Sequence, residues 1–400
     1  MFRFGLLAVF CLPAANIAGA QEALGIFEGQ GDVGKVLHPG SAVYDSSSKT
    51  YTVSGSGDNM WFGQDEFYFA WKKISADELT FTASISVLDA TGNAHRKGVL
   101  MVRQSLDGDS PYVDVARHAE GLTSLQYREK KGATTHEIES SISGPAILRI
   151  EKRGGRFYMW VAEQTAKGLE FGGGSAWVEM RAPFYVGIGV CSHDKEATAK
   201  FAFSDIELDL KPKHPKKGGY STIETVLLSG DARTALVSKK HLTLPGWSSD
   251  GNSVTYVDYT EHLQAPFVPL RTAAPVAPPV AVVPSDFTYF ASKSGETMQI
   301  WRKSADGSQS SQFTPDDFNN TSPRVSPDGN YLLFLSYSKE YNRLSDDTPV
   351  LLRLMTLKDN SIKTLVSFVG GPESLGDQPW SPDGKRIVFV SYQSMSIIKF

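Results

Sequence analysis

The second half of the chain contains the same turn three times. Pro245-Gly246-Trp247-Ser248-Ser249-Asp250-Gly251-Asn252 leads into Ser253–Val257. Pro323-Arg324-Val325-Ser326-Pro327-Asp328-Gly329-Asn330 leads into Tyr331–Tyr337, and Pro379-Trp380-Ser381-Pro382-Asp383-Gly384-Lys385 into Arg386–Tyr392. Each unit is a strand end, a Ser-x-Asp-Gly turn and a hydrophobic strand. Gly supplies the left-handed backbone the turn needs, and Pro, where present, presets φ ahead of it. Asp250, Gly251, Asp328, Gly329, Asp383 and Gly384 are therefore structural turn residues. A recurring hairpin cannot bury both faces alone, so it stacks on its own copies, which is the plan of a β-propeller.

The N-terminal half is also β-patterned, without that repeat. Short Val/Ile/Tyr/Phe/Trp-rich runs alternate with Gly/Asp/Ser turns: Lys49–Ser54, Leu79–Val87, Gly98–Gln104, Tyr112–Arg117, Ser124–Arg128, Ala146–Glu151, Arg156–Ala162, Phe184–Cys191 and Ala199–Glu207. Arg153-Gly154-Gly155-Arg156 reads as a hairpin turn. No convincing amphipathic helix interrupts these runs, and many short strands at near-regular spacing predict a two-sheet jelly-roll sandwich. Asp209–Thr222 then gathers four Lys, two Pro and a Gly pair, the composition of a solvated linker. Ala265–Pro284 holds six Pro and no Gly, so it cannot form an interior strand.

The expected plan is all-β: a signal over 1–20, a sandwich over 21–210, a basic linker over 211–222, and blades over 223–400 interrupted by the tract 265–284. At roughly 40–45 residues per blade, the last part has room for about four, so the propeller is expected to be short or incomplete. Open blade edges would then favour pairing with another chain.

Met1–Ala20 carries an early cation, Arg3, an apolar run from Phe4 to Leu12, and the small-residue ending Ala18-Gly19-Ala20. That predicts a cleaved secretory signal, a mature chain from Gln21, and a periplasmic or secreted location without a membrane span. Cys11 leaves with the signal, so Cys191 is expected to be a lone buried thiol with no disulfide partner. With 40 Lys+Arg against 44 Asp+Glu the chain lacks the basic surface that nucleic-acid binding requires.

Catalytic signatures are mostly missing from the sequence. Gly29-Gln30-Gly31-Asp32-Val33-Gly34 fits G-x-G-x-x-G, but His38-Pro39-Gly40 stands where the helix should run, so nucleotide binding fails its context test. His136-Glu137 has no second His four residues on, no G-x-S-x-G elbow exists, and the histidines are scattered. No catalytic residue, metal site or cofactor is expected. Asp65 and Glu66 are adjacent and point to opposite faces of a strand, which disfavours them as a glycosidase pair.

A binding face is the remaining expectation. Alternation sets Met101 and Arg103 opposite Leu100 and Val102, and Gln126 and Arg128 opposite Leu125 and Tyr127. With the apolar set in the core, Arg103, Gln126 and Arg128 would line a concave polar surface. Trp61, in Asn59-Met60-Trp61-Phe62, would offer an indole for stacking on sugar rings.

Met298-Gln299-Ile300-Trp301-Arg302-Lys303, Asp306-Gly307-Ser308, Phe318-Asn319-Asn320, Ser326-Pro327-Asp328-Gly329, Phe334-Leu335-Ser336-Tyr337, Leu351-Leu352-Arg353-Leu354-Met355 and Trp380-Ser381-Pro382-Asp383-Gly384-Lys385 resemble the TolB-like propeller family of bacterial envelope and secreted proteins. Leu148-Arg149-Ile150-Glu151-Lys152-Arg153 with Phe157–Val161, and Phe184–Val190, are similar to the concanavalin A-like lectin/glucanase sandwich. These resemblances imply an exported, non-enzymatic binding or scaffold protein whose partner is a glycan or an envelope protein. The lectin/glucanase likeness also implies the alternative, a carbohydrate-active enzyme using the sandwich or the propeller channel.

Overall fold

A computed structural model describes residues 24–162, 168–213, 219–259, 263–264, 268–269, 286–341, 343–344 and 348–393. The expected signal lies outside the described residues, as do the middle of the basic linker and the Pro-rich tract apart from residues 268–269. The described chain is all-β, and none of its segments is a helix long and apolar enough to cross a membrane.

The first half is a two-sheet sandwich. One sheet runs, in spatial order, Gly29–Val33, Phe67–Ile74, Phe184–Cys191, Lys97–Arg103, Tyr112–His118, Thr123–Arg128 and His136–Ser140. The other runs Glu170–Trp177, Arg156–Ala162, Ile147–Arg153, Glu78–Val87, Asp194–Asp209, Thr50–Gly57 and Ser41–Asp45. Alternate residues of both, including Val53, Phe81, Leu100, Val102, Leu125, Ile150, Met159, Ile188 and Phe201, fill the space between them. The first sheet is also covered on its other face, where Val33, Met60, Phe67, Phe69, Val99, Met101, Tyr112 and Cys191 form a second apolar layer. Burial pushes the Cys191 thiol up to about 11, so it behaves as a small apolar residue.

The second half forms four blade-like sheets. The first combines Arg233–Lys240 and Tyr220–Leu227 with Arg386–Tyr392, which returns from the far end of the described chain. The second pairs Leu242–Trp247 with Ser253–Asp258, the third is Phe287–Ser294, Thr297–Ser304 and Ser310–Gln312, and the fourth runs from Phe318–Val325 through Tyr331–Ser338 and Thr348–Thr356 to Ile362–Gly370. Strand alternation is what stacks them. Leu332 and Phe334 pack with Ile300 of the third blade, while Leu333 and Leu335 pack with Val226, Ile387 and Phe389 of the first. On the other side of Arg386–Tyr392, Val388 and Val390 meet Leu242, Trp247 and Val254 of the second blade. The spatial order is thus third, fourth, first, second, and among the described residues no apolar cluster joins the second blade to the third.

The repeated turns share one hydrogen-bond scheme. The hydroxyls of Ser248, Ser326 and Ser381 donate to Asp250, Asp328 and Asp383 at 2.6, 2.5 and 2.6 Å. The same hydroxyls accept the amides of Ser253, Tyr331 and Arg386 at 3.0, 2.9 and 2.9 Å, and Gly251, Gly329 and Gly384 sit at φ 69°, 71° and 69°. Ser304-Ala305-Asp306-Gly307 is a fourth copy, with Ser304 donating to Asp306 at 2.6 Å and Gly307 at φ 76°. Hydrogen bonds from Ser304 and then from the Ser308 backbone hold the Asp306 carboxyl down at about 2. Indoles tie neighbouring blades together: Trp247 Nε1 donates to the Pro379 carbonyl at 3.0 Å and Trp380 Nε1 to the Arg324 carbonyl at 3.3 Å.

Sandwich and blades share a sheet. His136–Ser140, the last sandwich strand, pairs in parallel with Arg233–Lys240 of the first blade. Edge capture of this kind buries an otherwise open ladder.

Candidate functional site

Arg103, Gln126 and Arg128 lie on the face opposite the inter-sheet core, as their alternation with Leu100, Val102 and Leu125 requires. That face is covered. Met60–Trp61 and Gln64–Asp65 form a small hairpin across it. Asp65, fully buried, accepts from Arg128 Nη2 at 2.7 Å and Nη1 at 2.9 Å, and from Arg103 Nη2 at 3.3 Å. Arg128 also donates to the carbonyls of Trp61, Phe62 and Ala133, each at 2.8 Å. Arg103 donates to the Ser105 and Asp107 carbonyls at 2.6 and 2.5 Å. Gln126 accepts from Lys97 Nζ at 2.8 Å and donates to Glu137 Oε1 at 2.9 Å. Each of the three is buried with its polar atoms engaged inside the protein. Arg103 and Arg128 pin the hairpin down and so fix the backbone of Trp61, which stays half-buried at the rim, whereas Gln126 links Lys97 to Glu137.

Beneath the hairpin, Asp114 pairs across the sheet with Met101 and Gln126. Neither of its carboxylate oxygens has a hydrogen-bond donor, and burial pushes it up to about 8. Nearby, burial and then Lys97 drive His118 down to about 3, leaving it neutral, with Nδ1 3.2 Å from the Leu122 carbonyl. His95 stands 5.9 Å from His118 and 5.5 Å from His193, ring centre to ring centre. Even so, among the described residues no three His, Cys, Asp or Glu side chains are arranged to hold a metal ion.

Trp61 forms part of the wall of a cleft of about 780 Å³ where the sandwich meets the first and fourth blades. The sandwich contributes Tyr127, from strand Thr123–Arg128, and Trp177, from the end of strand Glu170–Trp177. Glu137 and Glu139 are two residues apart on one strand and share a face, while Ile138 between them enters the core. Asp231 comes from the turn of the first blade, and Thr364–Ser367 from the edge strand of the fourth. Beneath the cleft, Arg233 is held by Glu224, with Nη2 3.1 Å from Oε1, and the Ser391 hydroxyl donates to the same carboxylate. Burial, and next the neighbouring Glu137, raise the Glu139 carboxyl above its ordinary value.

Flat indole and phenol faces stack on the C–H faces of sugar rings, and carboxylates accept hydroxyl protons. The Glu137-Ile138-Glu139 pair was visible in the sequence as two acids flanking a core residue. Nothing local showed which surface it would face, because the opposite wall comes from residues 230–233 and 364–367.

Fold and site together define an all-β, two-part protein with an aromatic, carboxylate-rich cleft at the junction of its parts. No known family profile matches the chain. An uncharacterised protein of Agrobacterium fabrum is 29% identical over 161 residues, covering 37% of this chain and 54% of that one, so the match spans about half the length of that curated relative. Among solved structures, a carbohydrate-binding module from Bacillus subtilis is 18% identical, covering 46% of this chain and 97% of its own, at a TM-score of 0.31. TolB from Acinetobacter baumannii is 13% identical, covering 76% of this chain and 65% of its own, at a TM-score of 0.22. Scores this low carry no argument.

Proposed function

We propose that this is a binding or scaffold protein of the cell envelope whose junction cleft takes a saccharide chain. The supporting observation is the set of three aromatic side chains, Trp61, Tyr127 and Trp177, around one cleft of about 780 Å³ beside carboxylates. A buried ion cluster that holds the Trp61 backbone, with Lys97 Nζ 5.8 Å from the ring centre, supports the reading, since a pre-set ring loses less entropy on binding. The test is a glycan array followed by calorimetry on the full chain. Trp61→Ala and Trp177→Ala, folded by circular dichroism, should each weaken binding about tenfold, as loss of one ring stack would. No binding to any glycan refutes the reading.

A second reading, hydrolysis of the bound saccharide, is favoured by Glu137 and Glu139. One carboxylate is oriented by Gln126 and the other is raised by burial, the asymmetry an acid and its partner require. Turnover of an array-positive glycan that survives Glu139→Gln would rule that pair out.

A further inference from the structure

We propose that the saccharide bound in the cleft carries free ammonium groups, as a chain of amino sugars does; this rests on the saccharide reading above. The cleft is lined by Glu129, Glu137, Glu139, Glu179 and Asp231, against the cations Lys130, Arg181 and Arg233. Arg233 is already answered by Glu224. Glu137 is met by the neutral amide of Gln126. Among the described residues, the side chains of Glu129, Glu139, Glu179 and Asp231 form no ion pair, although they share one concave surface with three aromatic rings. The lining thus sets five carboxylates against two cations not already answered, Lys130 and Arg181, and burial and then Glu137 raise the Glu139 carboxyl although Arg386 pulls it the other way.

An ammonium group entering there is attracted by the carboxylates, while the indoles of Trp61 and Trp177, whose rings already meet Lys97 Nζ at 5.8 Å and Arg156 at 5.2 Å, offer the sugar ring a stacking surface. A neutral sugar gains only the stacking, and a uronic acid meets repulsion. The sugar ring and its ammonium thus use different parts of one surface: the ring stacks, and the charge selects.

The experiment is calorimetry of the full chain with a glucosamine hexamer, its fully N-acetylated counterpart and hexalysine. N-acetylation removes the charge and keeps the ring. The glucosamine hexamer should bind at least about tenfold tighter than the acetylated one, and the preference should shrink in 0.5 M salt, where screening lengths fall to a few ångströms. Glu179→Gln and Glu139→Gln, made separately so that one folding failure does not decide the matter, should each narrow the preference about threefold. Equal binding of the two hexamers overturns the ammonium proposal and leaves the saccharide reading standing. Hexalysine binding as tightly as the glucosamine hexamer also overturns it, since charge alone would then suffice. If neither hexamer binds, the proposal falls together with the reading beneath it.

Discussion

Replacing Asp65 with alanine tests whether one buried carboxylate holds the hairpin over the sandwich face. The carboxylate is fully buried between two fully buried guanidinium groups, with contacts of 2.7 and 2.9 Å to Arg128 and 3.3 Å to Arg103. Removing it leaves both cations without a counter-charge. Breaking one side of a buried pair typically costs about 3–5 kcal/mol. Arg128 keeps its bonds to the carbonyls of Trp61, Phe62 and Ala133, which partly solvate the stranded charge and place the expected loss near the lower end, about 3 kcal/mol. Asp65→Asn keeps an acceptor of the same shape but loses the charge, so about 2 kcal/mol is expected. The assay is urea unfolding of the full chain, followed by tryptophan fluorescence and circular dichroism, with coincident transitions required before a free energy is read. A loss below about 1 kcal/mol for the alanine variant would refute the reasoning, because buried guanidinium groups left unpaired cannot cost so little. The same variant should loosen Trp61, and with it any binding in the cleft.

Asp114 and His118 give opposite pH slopes. Asp114, at about 8, keeps in the folded chain a proton that the unfolded chain releases near its ordinary value of about 4, so stability falls as pH rises between those values. His118, at about 3, refuses a proton that the unfolded chain takes up near about 6.5, so stability falls as pH drops through that window. The slopes oppose each other between about pH 4 and 6.5, and Asp114 stands alone from there to about pH 8, where about 2 kcal/mol should be lost. Asp114→Asn should flatten that upper limb in pH-dependent urea unfolding; an unchanged slope rejects the assignment. In the repeated turns, Gly329→Ala places a Cβ at φ 71° and should cost about 1–2 kcal/mol. Ser326→Ala, which strands the Tyr331 amide and leaves Asp328 with only its bonds from Asn330, should cost about 1–2 kcal/mol as well. Thermal unfolding checks both, and tolerance within about 0.5 kcal/mol would show that the turns are not specified this way.

The turns were legible because their chemistry is local. A serine hydroxyl, an aspartate two residues on and an amide five residues on close the loop, and Gly supplies the backbone twist, so a short stretch of residues carries the whole instruction. The fourth copy at Ser304–Gly307 obeys the same rule and was equally present in the sequence. Strand alternation was legible for a similar reason: two-residue periodicity put Leu100, Val102 and Leu125 on the core side and Arg103, Gln126 and Arg128 on the other. Alternation names a face but does not say what covers it. Only the tertiary structure laid Met60–Asp65 over that face and turned Arg103 and Arg128, two of the expected binding residues, into the anchors of a hairpin. Only it brought Arg386–Tyr392 back beside Tyr220–Leu227, and ran the sandwich sheet into the first blade through His136–Ser140 and Arg233–Lys240. Those pairings join segments far apart along the chain, and they are favoured by apolar burial that neither segment could achieve alone. The cleft exists because of them: its walls come from both halves of the protein, so no single stretch of sequence encodes it.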